Sequence, residues 1–456
     1  MKAQVGTMLW MSPEERRDLG RARRKQMPRA GHAQLHPAAR KATALDLVEQ
    51  SMSGRVPALI QLKYKLMSES PFAYFRGAAP VMAADLAALP STGIESQICG
   101  DAHVRNLGAY ASPDGRLIFD INDFDETIRA PFEWDLKRMA ASLVLAGRAA
   151  GQKEASARSA VEACVERYSA QMREFARMPL LEMARFQVHR MNLAKPVHDA
   201  LVKAERATPA LTLKQLTEKG EKPKSGRRFK GMPPVLTRVT GAQRAAVLAS
   251  MKPYLETIEP QRQRLLSLYR PVDVAFKVVG TGSVGLRDYC VYMDGNGPLD
   301  PLFLQIKEEA PSAYAPYLPA ARAGQRDGRR AAQHNGQRAA LGQRAMQMQS
   351  DPFLGWTHID GRQYLVRQLN DHKGSINLED LAGGGLKAYA EVCGELLARG
   401  HARSSDPMVI AGYVGSGIAF ADALAMFGSA YADQTEKDWS ELRRKNDPGK
   451  SNRVRR

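Results

Sequence analysis

Asp101, Asn106 and Asp123 are the residues whose types and spacing suggest chemistry. The stretch Gly100-Asp101-Ala102-His103-Val104-Arg105-Asn106 puts a carboxylate five positions before an amide. Asn122-Asp123-Phe124-Asp125 then returns a second carboxylate 17 positions after that amide. Phosphoryl transfer asks for such groups: one carboxylate near the accepting hydroxyl, and oxygen ligands for Mg²⁺, which bridges and neutralises phosphate oxygens. The structural alternative is a polar turn in which Asp and Asn cap and bend the chain.

A second constellation lies in the later half. Gly280-Thr281-Gly282-Ser283-Val284-Gly285 is followed 22 positions on by Lys307 in PLFLQIKEE. Glycines let backbone amides approach phosphates, and a lysine on a strand supplies them with positive charge. A dinucleotide-binding fingerprint would open a helix, whereas LRDYCVYM after Gly285 reads as a strand. A glycine hairpin with a solvated lysine is the alternative. The helix 333 to 348 carries no Glu to hold Lys307; Gln337 or Gln343, or Glu309 on the lysine's own strand face, are the candidates. Arg338 and Arg344 either approach phosphates or lie on a solvated helix face.

These groups need elements to position them. Strand-like pieces around Ile98 and from Leu117 to Ile121 flank the first loop, with a Pro-Asp-Gly turn between them. Residues 132 to 178 carry apolar stripes suited to a helical bundle. Strands return at Val272 to Val279, Asp288 to Met293 and Leu302 to Glu308, then around Trp356 to Leu369, and helices resume from Leu378. Met346, Met348, Phe353 and Trp356 read as core rather than as a cofactor box.

Composition bounds the class. The 456 residues allow two or three structural units, and 44% hydrophobic with 25% charged residues is ordinary for a globular chain. The excess of 66 Lys and Arg over 48 Asp and Glu gives +18, a surface that attracts polyanions and nucleotides. Four scattered cysteines without C-x-x-C spacing suggest neither a disulfide framework nor a zinc cluster. With no signal-peptide pattern and no run of 18 apolar residues, a cytoplasmic protein without a membrane span is expected.

GDAHVRN with NDFD is similar to the G-D-x-H-x-x-N and I-D-F/W motifs of aminoglycoside phosphotransferase-like proteins, of the protein-kinase-like superfamily. The longer series SPFAYFRGAA, GDAHVRNLG, NDFDET, PFEWDLKR, VVGTGSVGLR and HARSSDPMVIAGY resembles the DUF2252 family, over roughly residues 45 to 430. The resemblance implies Asp101 as catalytic base, Asn106 and Asp123 as Mg²⁺ ligands, and His103 as a structural loop residue. Asp135 would anchor the catalytic loop backbone. Gly280, Gly282, Ser283, Gly285 and Lys307 would hold the phosphates of ATP. Asp125 stands where protein kinases keep a glycine, and its role is open; Arg76, in an FRG signature, either meets a phosphate or forms a structural ion pair.

The implied fold class is α+β: a protein-kinase-like, two-lobed fold with a largely helical large lobe. Because the glycine loop follows the catalytic loop by about 180 residues instead of preceding it, the arrangement would be circularly permuted, which surface-lying ends tolerate. The expected organisation is a basic arm (1–45), helical at best in part; a helical lobe with the catalytic loop and metal hairpin (46–217); a basic linker or loop (218–234); a small-lobe-like unit (235–372); helices completing the large lobe (373–440); and a disordered basic tail (441–456). The implied function is an ATP-dependent, Mg²⁺-requiring phosphotransferase acting on an unknown small-molecule or protein hydroxyl. Adenylyl transfer on the same fold is one alternative. A non-catalytic nucleotide-binding or nucleic-acid-binding protein, contacting polyanions through its basic segments, is the other.

Overall fold

Local signals start the first helices. Ser12 caps helix α1 (Pro13–Gln26) by accepting from the Glu15 amide while the Glu15 carboxylate accepts from the Ser12 amide. Prolines open α2 (Pro57–Ser68) and α3 (Pro71–Gly77), where their missing N–H costs nothing. The computed structural model describes residues 10–186, 194–220, 226–278, 280–297, 300–318, 334–369 and 372–446.

Strand β1 (Glu95–Ile98) leads into the Asp101 loop, and β2 (Leu107–Ala111) and β3 (Leu117–Ile121) form an antiparallel hairpin closed at Gly115. β4 (Ile128–Pro131) returns against β1. Helix α4 (Glu133–Ala149) is buried along nearly its whole length and packs on α5 (Glu154–Phe175).

The basic stretch 218–234, expected as a loop or linker, contains paired backbone: β5 (Thr217–Lys219) lies antiparallel to β6 (Arg227–Phe229), and Phe229 is buried between them and the sheet that follows. Its residues 221–225 lie outside the described ones. Next come β7 (Leu236–Arg238), β8 (Arg270–Lys277), β9 (Asp288–Asp294) and β10 (Pro301–Glu308), then α6 (Asn335–Met346), β11 (Gly355–Ile359) and β12 (Arg362–Gln368). They make one antiparallel sheet in the order β11-β12-β10-β9-β8-β7. Strand β13 (Gly374–Ser375) pairs with β2, tying the end of this sheet to the Asp101 hairpin.

After the sheet the chain forms helices α7 (Gly385–Ser404), α8 (Pro407–Val414) and α9 (Ile418–Asn446). Residues 441–446, placed by the sequence reading in a disordered tail, continue α9 because Leu442 packs into a core with Met52, Met67 and Tyr74. Residues 1–9 and 447–456 lie outside the described residues. The architecture is mixed α and β, with a large core shared by α4, α5, α7, α9 and the first strands, and a second core on one face of the six-stranded sheet.

Alternation along β10 positions chemistry. Leu302, Leu304 and Ile306 enter the second core, so Phe303, Gln305 and Lys307 project from the opposite face. Lys307 is thereby buried on the side that meets the Asp101 hairpin.

Candidate active site

The Asp101 loop is held by the helix that follows it. Both Asp135 oxygens accept backbone hydrogen bonds, from Cys99 N and Gly100 N, each at 2.9 Å. His401 Nε2 lies 3.3 Å from the same carboxylate, and the other ring nitrogen of His401 lies 3.0 Å from Tyr168 Oη. Tyr314 Oη donates to Gly100 O at 2.7 Å, Ser142 Oγ accepts from Val104 N at 3.0 Å, and Tyr389 Oη donates to Val104 O at 2.7 Å. Gly100 has φ +81°, and a Cβ there would stand 2.3 Å from Glu126 O, so neither conformation nor space admits a side chain.

Inside this loop Asn106 Nδ2 donates to Asp101 O at 2.9 Å. The Asp101 carboxylate forms an ion pair with Arg138, a fully buried side chain of α4 that also donates to Phe75 O at 3.1 Å. Burial raises the Asp101 carboxyl, but the positive charges of Arg138 and Arg76 outweigh it and hold the group below the ordinary carboxylate range. His103 Nδ1 accepts from Arg105 N at 3.2 Å, and burial pushes its pKa down to about 3, so the ring is neutral at pH 7.

The later half reaches the same place. Lys307 forms an ion pair with Asp125, and Ser283 Oγ donates to Asp125 Oδ2 at 3.1 Å. Burial opposes the charge on Lys307, yet Asp125 and Asp123 raise its pKa above the ordinary value. Asp123 is pushed up to about 6, first by burial and then by the negative charge of Asp125. Asp125 itself is lowered, because Lys307 overcomes the burial cost. Behind the pair, Arg367 Nε donates to Gln305 Oε1 at 2.8 Å and Gln305 Nε2 to Asp288 Oδ2 at 2.6 Å.

The partner of Lys307 is therefore Asp125, and not one of the residues expected from sequence. Gln343 instead donates to Gln347 at 2.9 Å. Arg338 of α6, where a glutamate was sought, donates to the carbonyls of Asp125 and Thr127 at 2.7 Å and Ala310 at 2.9 Å. It is buried, and it braces the backbone that carries Asp125. Arg344, also weighed as a phosphate contact, donates to Leu354 O.

The glycine turn between β8 and β9 is pinned from outside its own sheet. Lys63 of α2 donates to Gly282 O at 2.7 Å and Thr281 O at 3.2 Å, Arg55 to Val284 O at 2.6 Å, and Val56 N to Gly285 O at 2.7 Å. Lys63 is 1% exposed, and burial together with the neighbouring Arg55 drives its pKa well below the ordinary value. Gly280 (φ +54°) and Gly285 (φ +92°) take the left-handed turns. Arg76 stands close enough to feel Asp101 and Asp123, and its buried Nε has no hydrogen-bond partner among the described residues.

Asp101, Asn106, Asp123, Ser283 and Lys307 thus belong to one cluster, in which Asp125 is the joint. The family model described as "Uncharacterized protein conserved in bacteria (DUF2252)" matches residues 55–445 and so includes every one of these groups. The chain belongs to the DUF2252 family. No curated protein and no solved structure matches it. In this DUF2252 chain, Arg138, Lys63 and Arg55 are site residues that motif reading passed over. Arg138 had a signal: it lies three positions after Asp135 on one helix, hence on nearly the same face. Lys63 and Arg55 had none, since only folding brings them to the glycine turn.

The donor set suits a Mg²⁺ ion. Among the described residues no three His, Cys, Asp or Glu side chains form a ready-made cage; Mg²⁺, however, takes one or two carboxylates with water and substrate phosphates. Asp125 Oδ1 is buried without a hydrogen-bond partner among the described residues, and the two adjacent carboxylates repel each other. A dication relieves both costs. A cavity of about 40 Å³ lined in part by Asn122, Arg367 and Lys373 adjoins the cluster. That is well below the few hundred Å³ of a ligand pocket.

Proposed function

We propose that this DUF2252 protein is an ATP-dependent phosphotransferase of kinase-like, circularly permuted arrangement. One observation carries the reading: Ser283 of the glycine turn and Lys307 of the third strand meet Asp125, two residues from Asp123 and across from the Asp101–Asn106 loop. Supporting it, β8, β9 and β10 run antiparallel in sequence order, carry first the glycine turn and then the lysine, and are followed by a helix. Kinases cover and hold ATP phosphates with this series. Here Asp125 serves as the carboxylate partner that kinases take from the helix.

Asn106 and Asp123 would hold Mg²⁺, which neutralises phosphate oxygens when bound. The glycine turn offers backbone amides to the phosphates, and Lys307, released in part from Asp125, adds positive charge. Asp101 orients the acceptor hydroxyl and takes its proton as the new P–O bond forms and the bond to the leaving ADP oxygen breaks. Its pKa, held low by Arg138, makes it a weak base, so orientation is the larger share of its work.

The test is Mg²⁺-dependent transfer or hydrolysis of ATP by the parent and by Asp101→Asn, with label on the γ-phosphate in one arm and on the α-phosphate in the other. Expected is γ-label turnover in the parent and a loss of about 10²–10⁴-fold in the variant. Transfer of α-label assigns adenylyl chemistry, and undiminished turnover in the variant removes Asp101 from its role. No single helix among the described residues is long and apolar enough to cross a membrane.

A further inference from the structure

A second, separate concentration of positive charge lies where α1 crosses α8. The two helices touch backbone to backbone: a Cβ on Gly20 would stand 1.9 Å from Val409 O, and one on Gly412 would stand 2.2 Å from Arg17 O. This close crossing, with the end of α5 alongside, forms a half-open cavity of about 200 Å³. Five arginines line it: Arg17, Arg21 and Arg24 from α1, and Arg173 and Arg177 from α5 and just beyond it. The lining includes no carboxylate.

Part of that charge has a structural use. Arg24 donates to Gly412 O at 2.5 Å and Tyr413 O at 2.9 Å, and Arg173 to Gly415 O and Ser416 O, both at 2.8 Å. Those contacts satisfy the carbonyls at the C-terminal end of α8, where cations are favoured. Two guanidiniums meet that need, and three more remain. Among the described residues the Arg17 side chain hydrogen-bonds only the sulfur of Met408, at 3.4 Å, Arg21 pairs with the exposed Asp18 at 2.9 Å, and the Arg177 side chain has no hydrogen bond or ion pair. The nearby Asp406 is taken by Arg16 at 3.1 Å. Burial, and after it the neighbouring Arg29 and Arg21, lower the pKa of Arg24. Gly415 (φ +64°) keeps the cradle open: a Cβ there would stand 2.7 Å from Arg29 Nη1 and 2.8 Å from Arg24 Nη2.

We propose that this arginine cavity binds the phosphate groups of a small, multiply charged phosphoanion. Guanidinium forks match phosphate oxygens in geometry and stay charged at all working pH values. The volume suits one or two phosphate groups rather than the length of a nucleic acid backbone. The phosphates could belong to a free oligophosphate or to the end of a nucleotide, since both present the same oxygens. Half the site comes from α1, which precedes the family-matched residues 55–445. The cavity also shares no residue with the Asp101 cluster.

The test uses the full chain and isothermal calorimetry with pyrophosphate, tripolyphosphate and ATP as probes, alongside Arg17→Gln/Arg21→Gln/Arg177→Gln. These side chains make no helix-capping bond, and Arg177→Glu, at an exposed position, serves as a second variant that spares the fold. Expected is pyrophosphate binding that weakens about tenfold or more in either variant, with ATP turnover at the Asp101 cluster unchanged. In the part of the binding that the variants abolish, tripolyphosphate tighter than ATP assigns a free oligophosphate, and the reverse order a nucleotide end. Binding in the variants within about twofold of the parent overturns the proposal. So does a parent that binds single-stranded RNA but no pyrophosphate.

Discussion

The two loops that meet at Asp125 are held in opposite ways. The Asp101 loop is anchored chiefly by the helix that follows it, through Asp135, Ser142 and Arg138 of α4, with Tyr314 and Tyr389 added from the later chain, all of them buried. The glycine turn has two internal backbone bonds, Val284 N to Gly280 O at 3.2 Å and Leu286 N to Ser283 O at 3.0 Å. Its other contacts come from Arg55, Val56, Lys63 and Asp125, which precede it by more than 150 residues. A loop braced by core side chains keeps one geometry. A turn held by a few long-range polar bonds can be released without unfolding its sheet, which the proposed role as a cover over phosphate requires.

The sharpest way to break that contrast is Lys307→Met. It leaves the half-buried Asp123 and Asp125 side by side without the ammonium group of Lys307, which costs up to about 3–5 kcal/mol of stability at neutral pH. The loss shrinks at acid pH, where one carboxyl takes a proton; equal loss at both pH values in urea unfolding counts against the pairing. Asp135→Ala comes next, at about 2–3 kcal/mol, because two backbone amides lose their acceptor in the core. Its effect should fall on the Asp101 loop, with faster amide exchange at Cys99 and Gly100 and none at Leu286.

Protons and Mg²⁺ sharpen the comparison from the other side. Asp123 has a folded pKa raised to about 6 from an ordinary 3.8. Between these values the unfolded chain gives up its proton first, so the metal-free protein loses this share of stability as pH rises and keeps it below the lower value. Mg²⁺ competes with that proton, and its thermal stabilisation should therefore be larger at about pH 7.5 than at about pH 5. A shift independent of pH would place the ion elsewhere. The smallest effect on stability is expected from Lys63→Met, within about 1 kcal/mol, since loss of two hydrogen bonds is offset by removal of a buried charge. Exchange at Val284 and Leu286 should nonetheless quicken while Cys99 and Gly100 stay protected.

Much of this was legible in the chain itself. The strand Leu302 to Glu308 was readable, and with it the shared face of Lys307 and Glu309. The Pro-Asp-Gly turn marked the hairpin that separates Asn106 from Asp123, and the glycines of 280–285 marked the turn before β9. These are local properties, set by steric limits and by the two-residue period of a strand, and they survive without knowledge of neighbours. The partner of Lys307, the arginine under Asp101, the clamp of Lys63 and Arg55 on the glycine turn, and the arginine cavity at α8 were decided by tertiary structure alone. Each depends on a desolvated contact between groups far apart in sequence, and the energy of such a contact comes from the burial and mutual charge that folding creates.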